Sequence, residues 1–218
     1  MILTKTYKEP AICKKEILRY AGCNDSDNET LEILDDCLNE IRSKLTYKIC
    51  YCELPLKING DSCDFDAFTL QSKNLVKNLN GCHRVIVFAA TIGVAIDRLI
   101  AKYGRISPVK ALLFQAIGAE RIEALCDAFN EDMGKNLYLK SRFSPGYGDL
   151  SLDAQKDIFR VLQCSKQIGL CLNDSLLMSP SKSVTAIIGI SQQPIIRERY
   201  IHKCSACDKK DCIFRSEI

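Results

Sequence analysis

The sequence predicts an α+β fold: a mixed or antiparallel central sheet flanked by helices, in a single domain with a small Cys-rich C-terminal tail. Three observations predict it. The apolar runs at residues 84–91 and 183–190 carry the signature of buried central strands. Several segments between and before them repeat apolar residues at three and four, the helical period. Strands and helices do not alternate strictly, which argues against a doubly wound parallel sheet.

Taken in order, residues 11–21 read as a short amphipathic helix, with Ile12, Ile17, Leu18 and Ala21 at helical spacings and Gly22 as its stop. A polar stretch at 24–28 follows, and Thr30 is placed to cap a helix in which Leu31, Leu34, Leu38, Ile41 and Leu45 recur at three and four. From 47 to 54 the pattern turns β-like, Ile49 and Tyr51 alternating against Lys48 and Cys50. Pro55 and Asn59-Gly60-Asp61 supply turns for a hairpin or meander through Leu70. Residues 72–80 return to a helix stopped by Gly81, ahead of the first central strand, and helical spacing resumes over 93–103. Ser107 then offers a cap and Pro108 a first-turn residue for a long helix that reaches Asp132. A loop with Pro145, Gly146 and Gly148 precedes a helix over 151–168, for which Gly169 is the stop, and the second central strand comes last. The domain is placed at residues 1–201 and the tail at 202–218.

Composition narrows the function. With 30 basic and 27 acidic residues the net charge is +3, too small to call for nucleic acid or an anionic membrane. No apolar run approaches the roughly 20 residues that span a bilayer. Residues 1–15 carry charges and a proline where a secretory leader has an apolar segment, so the expected location is the cytoplasm. Thirteen cysteines are many for this length, and in that compartment they are expected reduced. Cys37, Cys126 and Cys164 fall in helical patterns, where a thiol behaves as a small buried hydrophobe.

The long helix after Ser107 carries an anomaly. Val109, Leu112, Leu113, Ala116 and Ile117 share one face, yet the same face continues as Glu120, Glu123 and Asp127, while Ile122, Leu125 and Phe129 move to another side. A solvated helix end accounts for this pattern. So does a cleft whose wall needs carboxylates to accept hydrogen bonds from an amine or ribose hydroxyls. Downstream, Arg142-Phe143-Ser144-Pro145-Gly146-Tyr147 holds the parts of a rigid binding loop. Pro145 fixes its own φ, Gly146 permits close approach, Arg142 presents a fork suited to a carboxylate, and Tyr147 adds an aromatic face. An ordinary turn with an exposed Arg and a packed Tyr has the same composition.

This loop resembles the Arg-x-Ala-Pro-Gly-Tyr motif of the reactivation domain of cobalamin-dependent methionine synthase, with Ser144 in place of Ala. Downstream, the block from Ile168-Gly169 through Asn173-Asp174-Ser175 to Met178-Ser179-Pro180 is similar to that family's Ile-Gly-x-x-Leu-Thr-Glu-Ser-x-x-Met-x-Pro. Ser183-Val184 matches the start of its next strand, and Ala119-Glu120-Arg121-Ile122-Glu123-Ala124 is similar to its helix ending in a ligand-contacting Glu. The order and spacing of the blocks make the chain look like a short stand-alone member. It departs from the pattern after Tyr147, where Gly148-Asp149-Leu150-Ser151 replaces a Pro/Cys/His-containing stretch, and beyond Ile190, where Tyr200 is a candidate by composition alone.

The resemblance implies a function: reactivation of a cobalamin-dependent methionine synthase, or a related corrinoid protein, by S-adenosylmethionine-dependent reductive methylation of cob(II)alamin. The cobalamin is held by the partner protein and the electron comes from an external donor. By the same resemblance Arg142 pairs with the methionine carboxylate, Ser144 and Gly146 offer backbone contacts, Tyr147 sits where ligand and corrin approach, and Glu123 binds the amine or ribose. The chemistry is positioning of a sulfonium methyl, with no side-chain acid or base required.

The tail poses a separate question. Cys204, Cys207 and Cys212 follow His202, and a Cys-x2-Cys pair suits a tetrahedral metal. Zinc or an iron–sulfur cluster is the metal expectation, a cluster taking a fourth Cys from elsewhere; a reduced, metal-free tail is the plain one. Two further functions therefore stand beside reactivation: a non-catalytic docking module for a corrinoid protein, and a small redox or zinc protein acting through the tail.

Overall fold

The structure, a computed structural model, describes residues 1–23 and 28–193. The chain runs β1 (Leu3–Tyr7), α1 (Lys14–Ala21), α2 (Asn28–Ile41), β2 (Tyr47–Pro55), β3 (Lys57–Asn59), β4 (Ser62–Asp64), β5 (Thr69–Gln71), α3 (Lys73–Leu79) and β6 (Cys82–Thr91). It continues through α4 (Ala95–Tyr103), α5 (Pro108–Gly134), β7 (Tyr138–Leu139), α6 (Ala154–Leu162), α7 (Cys164–Ile168), β8 (Cys171–Leu172), β9 (Met178–Ser179) and β10 (Ser183–Ser191).

Five strands form the main sheet in the order β1-β2-β6-β10-β7, antiparallel throughout. The two apolar runs of the sequence are its centre: β6 and β10 pair along their length, Ser183 opposite Thr91 and Ile187 opposite Val87. Alternation along the strands sends side chains into two cores. On one face Ile86, Phe88, Ala90, Ala186 and Ile188 meet α1, α2, α4 and α5. On the other, Val85, Val87, Ala89 and Ile187 meet α3, α6, α7 and the three-stranded meander β3-β4-β5 expected after Pro55. Cys37, Cys126 and Cys164 are buried, as their helical positions predict. Among the described residues no helix is long and apolar enough to cross a membrane.

The structure corrects several element assignments. β1 has no counterpart in the sequence reading, because as an edge strand it buries little and shows no apolar alternation. α1 starts at Lys14, leaving Ile12 exposed, and α2 ends at Ile41, so Leu45 joins the core from the following turn. Thr30 lies inside α2 rather than at its cap. The helix read over 151–168 is two helices, broken at Gln163, whose φ of +48° is left-handed without any Gly or Pro to mark it. Val109 and Leu112 are exposed, so the first half of α5 does not turn its full apolar face to a core. The short strands β7, β8 and β9 were likewise not foreseen.

Candidate ligand site

α5 is the helix on which the site is built. Ser107 caps it, its hydroxyl accepting from the Lys110 N–H at 3.4 Å, and Pro108 occupies the first turn, where no N–H is needed. Phe114, Gly118, Leu125 and Phe129 fall on one side by helical rotation, and Phe129 packs against Phe88 and Tyr51 of the sheet. The acids are on other sides, and they divide between two tasks.

Glu120 does not line a cleft. It is buried with Arg121, whose Nε and Nη2 donate to its two oxygens at 2.5 Å, while Nη1 and Nη2 donate to the carbonyls of Pro10 and Ala11 at 2.6 Å. Glu120 also accepts from the Cys13 N–H at 3.0 Å. The pair fastens the N-terminal arm to α5, and the charges are compensated by these fixed donors and acceptors.

Glu123 and Asp127, one turn apart, face the Arg142 loop. That loop reaches them because it begins as an extension of the sheet. Lys140 N–H donates to Gly189 O at 2.9 Å, and Phe143 and Ile187 exchange both backbone bonds at 2.9 Å. Phe143 therefore lies on the side of Ile187, among the α6 and α7 core residues, and its neighbours Arg142 and Ser144 point the opposite way, toward α5. Arg142 Nη2 donates to Glu123 Oε2 at 2.9 Å, and Nη1 stands 2.7 Å from Asp127 Oδ1. The Arg142 side chain is 8% exposed, against 38% for Glu123 and 70% for Asp127. A buried cation is thus held by two acids that solvent still reaches. Burial works against its charge, but the surrounding groups, Asp127 and Glu123 among them, outweigh burial and raise its pKa. The ion pair with Asp127 is close but badly aligned: no hydrogen-bond acceptor lies along an N–H of Nη1 among the described residues.

Two residues beyond Phe143, the loop residue bridged to Ile187, comes Pro145. Proline has no N–H to continue the ladder, so the chain leaves the sheet there. Gly146, at φ +88°, makes the turn; its N–H donates to Leu150 O at 2.9 Å, and Tyr147 N–H donates to Ser144 O at 3.1 Å. Tyr147 projects outward, 61% exposed, with its ring edge-on to Phe143 at 6.5 Å. The departure from the family pattern has a structural use. Asp149 accepts from the Ser72 hydroxyl and from the N–H groups of Lys73 at 2.8 Å and Asn74 at 3.2 Å, so it anchors the loop at the start of α3. Those donors, the Ser72 hydroxyl first, hold its carboxyl below the usual range.

The structure brings Glu123, Arg142, Ser144, Gly146 and Tyr147 to one side of the molecule, with the Ser144 carbonyl and the Gly146 N–H engaged in the turn itself. Asp127, which the acid-bearing face of the long helix had marked although the resemblance did not supply it, joins the site as a partner of Arg142. Clefts of about 420 Å³, between the N-terminal arm, α2 and α5, and about 290 Å³, beside β7, lie away from this loop. Among the described residues no three His, Cys, Asp or Glu side chains gather to hold a metal. Cys204, Cys207 and Cys212, with Tyr200 and His202, lie outside the described residues. Chemically, a buried guanidinium beside a half-exposed carboxylate fits the two ends of an amino-acid zwitterion.

The chain is similar to known proteins in sequence and in fold. The family model described as the activation domain of vitamin B12 dependent methionine synthase matches residues 75–195. A crystal structure described as the MetH reactivation domain bound to AdoHcy is similar at 14% identity and a TM-score of 0.63, covering 87% of this chain and 78% of that one. At that identity the likeness is one of fold. No curated protein matches the chain.

Proposed function

Because the chain belongs to the family of vitamin B12-dependent methionine synthase activation domains, we propose that it binds S-adenosylmethionine at the Arg142 loop and serves the reductive methylation of cobalamin held by a partner protein. The observation that carries the reading is the contact between Arg142 and Glu123 at 2.9 Å. The similar solved structure holds AdoHcy, which has the same amino-acid end as S-adenosylmethionine.

The residues present suit such a ligand. The buried Nη1 of Arg142, close to Asp127 yet without an aligned acceptor, has a donor to offer a carboxylate. Glu123 is exposed enough to take an ammonium group while keeping its place beside the guanidinium. Arg142 is fixed by the Phe143 and Lys140 bonds to β10, so the bound end of the ligand is positioned by the sheet. Tyr147, outermost on the loop, is the residue that meets the incoming corrinoid partner. S-adenosylmethionine would supply the methyl group and leave as S-adenosylhomocysteine, and the cobalamin held by the partner, given one electron by an external donor, would receive it. The chain's own work is to bind, orient and present.

Calorimetry with S-adenosylmethionine on the wild type, Arg142→Ala and Glu123→Gln tests the reading. Binding by the wild type that weakens at least tenfold in each variant is expected, in line with loss of a charge-assisted hydrogen bond worth about 1.5–3 kcal/mol. A wild type that binds a corrinoid protein but no S-adenosylmethionine would instead make the chain a docking module.

A further inference from the structure

The N-terminal arm reaches Glu123 as well as Glu120. Its helix α1 packs on α5, and the Cys13 N–H at the start of α1 donates to Glu120 Oε1 at 3.0 Å. Cys13, Ile17 and Tyr20 follow at intervals of four and three, so they share one face of α1. Ile17, in the middle of that face, is fully buried in the core that α5 helps to build. Tyr20 is half-buried at its far end, about two turns on from the contact with Glu120. On α5, Glu123 stands about one turn on from Glu120. The face of α1 that opens against one acid therefore closes beside the other.

The charges around Tyr20 give the same direction. Burial raises the pKa of its phenol, and the Glu123 carboxylate is the next cause, ahead of the Arg19 guanidinium. Yet Arg19 lies over the Tyr20 ring, 4.5 Å from its centroid. The phenol oxygen is thus the part of Tyr20 turned toward Glu123. Arg19 is itself held by Glu16 at 2.7 Å, one turn earlier on α1, so the ring is braced from its own helix. The phenol keeps its proton at neutral pH, and its oxygen still has lone pairs with which to accept.

An amino-acid ammonium carries three N–H donors, and one carboxylate answers only part of them. In an α-amino acid the ammonium and the carboxylate share one carbon. A carboxylate on Arg142 therefore brings the ammonium beside Glu123, which Arg142 already touches at 2.9 Å. The Tyr20 oxygen is a further acceptor at that place. It comes from outside residues 75–195, the part of the chain that the family model matches.

We propose that the Tyr20 hydroxyl completes the ammonium site, accepting a hydrogen bond from the amino group of S-adenosylmethionine while Glu123 accepts another. The assignment rests on the binding reading above. It makes the N-terminal arm part of the ligand site as well as a brace for α5.

The test separates the amino group from the rest of the ligand. Calorimetry is run with S-adenosylmethionine, with S-adenosylhomocysteine, and with the deamino analogue of the latter, which keeps the carboxylate, sulfur and adenosine. The proteins are the wild type, Arg142→Ala, and Tyr20→Phe, which keeps the ring and loses only the hydroxyl. Tyr20→Phe is expected to weaken both amino-bearing ligands about tenfold and to leave the deamino analogue unchanged. Arg142→Ala is expected to weaken all three, because each keeps its carboxylate. Unchanged affinity of Tyr20→Phe for S-adenosylmethionine overturns the assignment while leaving the Arg142 reading intact. So does an equal loss for amino-bearing and deamino ligands, which would mean that Tyr20 only shapes the site. A wild type that binds none of the three overturns both readings.

Discussion

Arg142 and Glu123, nineteen residues apart in sequence, meet at 2.9 Å with the guanidinium almost out of solvent and the carboxylate partly in it. The arrangement is asymmetric. The loop cation is fixed by the sheet, and the acids that answer it stand on the outer side, where an incoming group can share them.

That asymmetry separates the two acids. Asp127 is mostly exposed and badly aligned on Arg142, whereas Glu123 makes a hydrogen bond. Asp127→Asn is therefore expected to lower S-adenosylmethionine affinity less than Glu123→Gln does, and calorimetry on the two neutral variants measures the difference. Equal losses would mean that Asp127 also touches the ligand.

The other buried charge on α5 is structural. Arg121→Met leaves Glu120 in the interior without its cation, an error that costs about 3–5 kcal/mol. Urea unfolding is expected to show that loss. The double variant Glu120→Leu, Arg121→Met recovers part of it, because no charge then remains buried, although the carbonyls of Pro10 and Ala11 still lose their donors.

At the far end of α5, Asp132 accepts from Lys5 Nζ at 2.7 Å and Tyr7 Oη at 3.1 Å, bonds that pull its pKa below the ordinary 3.8. A carboxyl depressed on folding stabilises the native state above its unfolded pKa and loses that contribution as pH falls through the folded value. Asp132→Asn is expected to destabilise modestly near neutral pH, by about 1 kcal/mol or less for so exposed a pair. The gap to wild type should close as the pH drops below about 4, where the acid protonates. Chemical denaturation of both proteins across pH 2–7 checks the sign.

The tail gives a separate prediction. Removal of residues 203–218 is expected to leave S-adenosylmethionine affinity unchanged, since every proposed ligand contact lies upstream. Metal analysis of the full chain purified without oxygen tests the Cys204, Cys207 and Cys212 site, with stoichiometric zinc or iron the positive result. Loss of ligand binding on truncation would favour the redox or zinc function of the tail.

Much of this was legible in the sequence for identifiable reasons. β6 and β10 are covered on both faces, so they had to be continuous apolar runs. α5 announced itself through Ser107 and Pro108, and Gly22 and Gly169 end helices in the left-handed conformation that glycine allows. What stayed hidden depends on how side chains are arranged in the folded molecule. The acids of α5 stood out as misplaced, but nothing local shows that Glu120 answers its neighbour Arg121 while Glu123 and Asp127 answer a residue across a loop. The break at Gln163 and the edge strand β1 carry no composition mark at all.

The Glu120–Arg121 clamp also bears on where this protein can be cut. A fragment limited to the family-matched residues would begin at Leu75, inside α3, and would lack β2, the neighbour of β6, together with the Pro10, Ala11 and Cys13 backbone that Arg121 and Glu120 hold. One face of α5 would then carry a stranded ion pair, and a central strand would become an open edge. The portion that recurs across relatives is therefore not a unit that can be transplanted alone; the N-terminal arm is the keel on which it rides.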